Sequence, residues 1–129
     1  MKYMLLTYLD ENAWQALSKE QQLAEIKKCE PHVKKLQAAG KILDGAPLHP
    51  SSMATTVRVK QGKRLVTDGP FAETREQLGG YTLIEAADLD EAMDIAAGFL
   101  GDGDGMPVTI EVRPVVDYQM PSAEGQGVN

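Results

Sequence analysis

Two helical stripes, each bracketed by short strand-like runs, constrain this chain more than anything else in its sequence. Leu23, Ile26, Cys29, Val33 and Leu36 recur at helical spacing, and so do Leu89, Ala92, Met93, Ala96, Phe99 and Leu100. The first stripe lies between residues 2–8 and residues 41–46, both short and rich in strand-forming side chains. The second lies between 81–86 and a last run in which Val108, Ile110 and Val112 alternate with Thr109, Glu111 and Arg113. A further pair of runs, Thr55 to Lys60 and Lys63 to Thr67, meets at Gln61-Gly62 and reads as a β-hairpin. With that hairpin set aside the order is β-α-β-β-α-β. This is the ferredoxin-like pattern, an α+β fold with both helices on one face of an antiparallel sheet. The hairpin is then an insertion between the halves.

Local signals set the boundaries. Asp10 caps a short helix carrying Trp14 and Leu17, and Ser18 with Gln21 forms a capping box for a longer one. Pro31 is expected to kink or split that longer helix, and Gly40 to end it. Asp88 with Glu91 opens the last helix and Gly101 closes it. Residues 68–80 read as a polar loop, with a helical turn expected near 72–78. The domain is placed at 1–116, with a loose tail at 117–129.

The first strand has apolar residues on both faces: Tyr3, Leu5 and Thr7 on one, Met4, Leu6 and Tyr8 on the other. Helices cover one face only. A second copy of the chain would most economically cover the other, so a homodimer is expected.

Charge and cysteine usage narrow the functional classes. The net charge of −6 argues against general binding to nucleic acid or anionic membranes. No run approaches the ~20 apolar residues of a membrane span. The N-terminus lacks a cleavable-signal pattern, and Cys29 is the sole cysteine. A cytoplasmic location is the expectation.

Few residues carry chemistry. In Asp68-Gly69-Pro70, Pro70 keeps Gly69 out of helical geometry, giving a stiff corner that holds the Asp68 carboxylate at a strand end. That carboxylate is either a positioned base or ligand anchor, or a turn former satisfying nearby amides. His32 sits at the edge of the first helical stripe, where an imidazole can reach a cleft or pack against a neighbour. Arg58 and Arg113 are candidate anchors for a small anionic ligand, while Lys60, Lys63 and Arg64 read as edge protection on the hairpin. Cys29 and His32 share a helical side, but two ligands without a second pair make a poor metal site. There is no phosphate-binding glycine loop, and Asp102-Gly103-Asp104-Gly105 lacks calcium-loop spacing. No cofactor or metal is expected.

The run Asp68-Gly69-Pro70-Phe71-Ala72-Glu73-Thr74-Arg75-Glu76-Gln77-Leu78-Gly79-Gly80-Tyr81 resembles the signature of the DGPF proteins, a branch of the YCII-related family. Residues 54–59, 87–92 and 110–114 resemble the neighbouring segments, and the likeness spans most of 1–116. It implies a dimeric α+β barrel built from ferredoxin-like halves. It also implies a bacterial protein whose relatives often occur beside genes for extracytoplasmic-function sigma factors, so a sigma-factor partner is one expectation. In the wider family a helix histidine and an aspartate have been proposed as a catalytic pair. Pro31-His32-Val33-Lys34-Lys35-Leu36 is similar to that helix motif, which puts the histidine at His32. Asp68 is the partner chosen on chemical grounds. Two readings stand: a small enzyme or binder using His32 and Asp68, and a non-catalytic regulatory or interaction module.

Overall fold

The computed structural model describes residues 1–117. Strand β1 (Lys2–Leu9) leads through a short helix α1 (Glu11–Ala16) into the long helix α2 (Lys19–Ala38) and strand β2 (Ile42–Pro47). A 3-10 turn (Ser51–Met53) precedes strands β3 (Thr55–Lys60) and β4 (Lys63–Asp68). Strand β5 (Gln77–Glu85), helix α3 (Leu89–Leu100) and strand β6 (Val108–Pro114) complete the chain's order. The four-stranded sheet runs β2-β5-β1-β6 with every neighbouring pair antiparallel, which is ferredoxin-like topology. Among the described residues strands β3 and β4 pair only with each other, as a separate ribbon.

The caps act as the sequence implies. Asp10 accepts the N–H groups of Asn12 and Ala13, and Ser18 and Gln21 bond reciprocally at the start of α2. Asp88 accepts from Glu91 N–H, while the Glu91 carboxylate reaches back to Ala87 N–H at 2.8 Å. In the ribbon's turn Gln61 and Gly62 both take positive φ, 52° and 76°, the geometry that matches strand twist in a two-residue hairpin.

Register decides which side chains meet the helices. Tyr3, Leu5, Ile84, Ile42, Ile110 and Val112 share one face of the sheet, and α2 and α3 cover it. Tyr3, Leu5 and Ile84 are buried there with Leu36 of α2 and Ala92, Ile95 and Ala96 of α3. Leu5 and Ile84 are fully enclosed, each worth about 1.5–3 kcal/mol by burial. The opposite face carries Met4, Leu6, Tyr8, Tyr81 and Leu83, all only partly covered.

Four expectations are corrected. Helix α2 continues through Pro31, so of the two outcomes expected there the split does not occur. The carbonyl that loses its N–H partner belongs to Lys27, an exposed residue, so water can take the missing bond. No helical turn forms at 72–78; β5 begins at Gln77 instead, because its first residues pair with Leu9 and Tyr8 of β1. The first half of the α2 stripe is not covered: Leu23 and Ile26 are 50% and 55% exposed. At 1.5 Å per residue, α2 spans about 30 Å and α3 about 18 Å, so α2 outruns its partner. In α3 the inward stripe is Ala92, Ile95, Ala96 and Phe99, while Leu89 and Met93 turn largely outward.

Candidate functional site

His32 is placed by a fit between two helices. Its Nε2–H donates to the carbonyl oxygen of Ile95 at 2.8 Å, and its ring stands edge-on to Phe99 with centroids 4.7 Å apart. A carbonyl can only accept, so the bond fixes the proton on Nε2. The seat exists because residue 98 is glycine: a Cβ there would collide with the imidazole ring. Three residues away on α2, Cys29 Sγ donates to the carbonyl of Phe99 at 3.6 Å. Burial, reinforced by nearby Glu25, pushes the Cys29 thiol above its ordinary pKa, which keeps it protonated and unreactive. The two α2 side chains together lock α2 to the last turns of α3.

Asp68 lies elsewhere in the topology, at the exposed end of β4 opposite Thr55. The corner after it is built from backbone: Gly69 takes φ 92°, its N–H donates to Ala54 O at 2.7 Å, and its carbonyl accepts from the Thr56 hydroxyl at 2.8 Å. Among the described residues nothing donates a hydrogen bond to the Asp68 carboxylate, and none joins it to His32. Arg113 is on the uncovered sheet face, bonded to Glu111 two residues earlier on β6, and Tyr8 donates to that same carboxylate at 3.4 Å. Arg58 is on the exposed ribbon. The four candidates read from the sequence therefore fall on three separate parts of the molecule: the α2–α3 seam, the ribbon with its corner, and the open sheet face.

A different set of residues does converge. Between α1, the 3-10 turn and the loop before β5 is an open hollow of about 360 Å³, lined among others by Glu11, Ser51, Ser52, Glu73, Thr74 and Gln77. Glu11 braces it. One carboxylate oxygen accepts the Ser51 hydroxyl at 2.5 Å, the other accepts Ser51 N–H at 2.8 Å, and its own N–H donates to Gln77 Oε1 at 2.9 Å. That chain of bonds holds the start of α1, the 3-10 turn and the start of β5 in one relation. Pro70 and Glu73 to Thr74, from the signature run, form the facing wall. The lining holds two carboxylates, two side-chain amides besides that of Gln77, and hydroxyls, with no Lys, Arg or His. Such a surface offers hydrogen bonds and negative potential, which suits a neutral polar or cationic molecule and repels an anion.

Sequence reasoning passed over this hollow because its members look like ordinary turn and cap residues. One signal was present: the Pro-Ser-Ser and Asp-Gly-Pro punctuation flanks the hairpin on both sides, so its two ends must come close together. Among the described residues no group of three or more His, Cys, Asp or Glu side chains is arranged to hold a metal ion, and no helix is long and apolar enough to cross a membrane.

Comparison with known proteins adds two findings. The family model for the YCII-related domain matches residues 1–117. An uncharacterized protein of Rhizobium meliloti (strain 1021) is 40% identical over 119 residues, covering 92% of this chain and 95% of that protein.

Proposed function

The chain belongs to the YCII-related family, and on that premise we propose that it binds a small, neutral or cationic polar molecule in the hollow between α1, the 3-10 turn and the loop before β5, without transforming it. On its signature run at 68–81 we also assign it to the DGPF branch. The observation carrying the reading is the convergence of three distant segments on one polar hollow braced by Glu11. The absence of any cationic side chain from its lining sets the ligand class. His32 has a packing role in this reading, since its Nε2–H is committed to Ile95 O and its ring to Gly98 and Phe99.

The test is an NMR screen of polyols, sugars, amines and small carboxylates against the isotope-labelled chain. Binding compounds should be neutral or cationic and should shift amides at 11–15, 50–52 and 70–77. Glu73→Gln and Ser52→Ala should weaken them, and His32→Gln should not. Hits that are anionic and map to Arg58 or Arg113 would overturn the ligand class. A substrate whose turnover is lost in both His32→Gln and Asp68→Asn, with the fold intact, would replace binding with acid–base catalysis by that pair.

A further inference from the structure

The ribbon of β3 and β4 has two dissimilar faces and an open edge. Residues directly opposite in an antiparallel pair share a face. Val57, Val59 and Val66 therefore lie together on one face, with Arg64 beside them, and Arg58, Lys60 and Lys63 on the other, around Leu65. The three valines are 56%, 71% and 60% exposed. The phase of the ladder follows from its far end, where the Gly69 N–H donates to Ala54 O at 2.7 Å. Bonded and non-bonded pairs alternate along an antiparallel ladder. Counting in twos from Ala54 and Gly69, the pairs Thr56–Thr67, Arg58–Leu65 and Lys60–Lys63 use their backbone groups inside the ribbon. Thr55, Val57 and Val59 then turn their N–H and C=O groups outward, along an edge of β3 that no other strand joins among the described residues.

We propose that the β3 edge takes up, as a third strand, an extended segment of a different protein in which apolar and acidic side chains alternate. An unpaired edge is a template for another strand. In strand addition the main-chain bonds give affinity and the alternate side chains give specificity. Strand β3 itself sets the alternation: side chains opposite Val57 and Val59 would cover bare valines, and those opposite Arg58 and Lys60 would face two cations. Charge selects the occupant. Residues 54–67 carry four cations and no acid, and none of the four makes an ion pair among the described residues. The same charges that repel a second ribbon attract an acidic strand, so one device excludes the wrong partner and admits the right one. Nucleic acid would meet the cations, but it would leave the valines uncovered and has no peptide groups to continue the ladder. A lone two-stranded ribbon is marginal in water, and three strands with an apolar face are not. The six residues of β3 set the length of the added strand, about 20 Å. Small carboxylates have no backbone to pair and should not bind here, so the proposal is independent of the ligand-binding hollow.

NMR titration of the isotope-labelled full chain with synthetic peptides tests it. The probe is a short capped peptide alternating valine and glutamate. Its controls are the same residues arranged in two blocks, an alternating valine–lysine peptide, and a single-stranded oligonucleotide. The alternating acidic peptide should shift the amides of 55–60, slow hydrogen exchange at Val57 and Val59, and bind about tenfold more tightly than the block peptide. Methylating its alternate backbone nitrogens on the paired side should abolish binding. The double variant Arg58→Glu, Lys60→Glu should weaken the acidic peptide about tenfold or more and gain affinity for the valine–lysine peptide, a gain that a misfolded variant would not show. Absence of binding at millimolar peptide would overturn the proposal. So would equal binding of the alternating and block peptides, or indifference to backbone methylation, since charge alone would then account for the contact. An oligonucleotide that binds more tightly than the acidic peptide would overturn the class of partner, and protection of Val57 and Val59 by a second copy of the chain would show the edge to be already filled.

Discussion

The α2–α3 seam and the β3–β4 ribbon use their side chains in opposite ways. In the seam each residue is shaped to its neighbour: a glycine makes room for an imidazole, and two side chains of α2 satisfy carbonyls of α3. In the ribbon the backbone is fully paired between its strands, yet the valines meet solvent. The seam is finished within one chain, whereas the ribbon has geometry without burial. Since burial of apolar surface is the main favourable term in folding, the seam should govern the stability of the chain and the ribbon should add little to it.

The largest effect expected on that contrast is Ile84→Ala. It empties a fully enclosed site beside the seam and should cost about 2–5 kcal/mol in chemical denaturation. Gly98→Ala comes next. Alanine is the better helix former by about 1 kcal/mol, so propensity alone predicts stabilisation. The collision with His32 should reverse the sign and cost about 1–3 kcal/mol. Adding His32→Ala to Gly98→Ala should recover part of that loss, and a double-mutant cycle would measure the coupling. A stabilised Gly98→Ala would mean that the seam is loosely fitted after all.

A smaller, pH-dependent effect concerns Glu91 at the start of α3. The Ala87 N–H and the Lys41 ammonium hold its carboxyl below the usual carboxylate range. A depressed pKa contributes stability that is present above the unfolded-state value and disappears as pH falls through the folded value. Glu91→Gln should therefore lower Tm at neutral pH, and the difference should vanish in acid. The smallest expected change is Val66→Thr in the ribbon, within about 0.5 kcal/mol on unfolding of the monomer. A large loss there would show that the ribbon is packed within its own chain, and the contrast would fail.

Much of the fold was legible because its determinants are local. The Asp10 and Ser18 caps, the Gln61-Gly62 turn and the alternation at 108–113 each depend on a few adjacent residues, and all take the form their chemistry implies. The misreadings arose where a remote partner intervened. Pro31 alone gives no indication that the residue whose carbonyl it strands is exposed, and residues 77–80 become strand only because β1 lies beside them. His32 was noticed for its chemistry, but its placement came from Gly98 and Ile95, which as isolated letters in a helix gave no sign of a seat for an imidazole.

By itself the sequence determined the order of helices and strands, their caps and turns, and how the side chains of each strand divide between two faces. These follow from the periods of helix and strand and from hydrogen bonds closed within a few residues. Only the tertiary structure decided which side chains meet: His32 with Ile95, Glu11 with Ser51 and Gln77, while the ribbon valines are left largely exposed among the described residues. Those encounters depend on how far helices extend past one another and how strands are aligned, distances that belong to the packed chain and to no short segment of it.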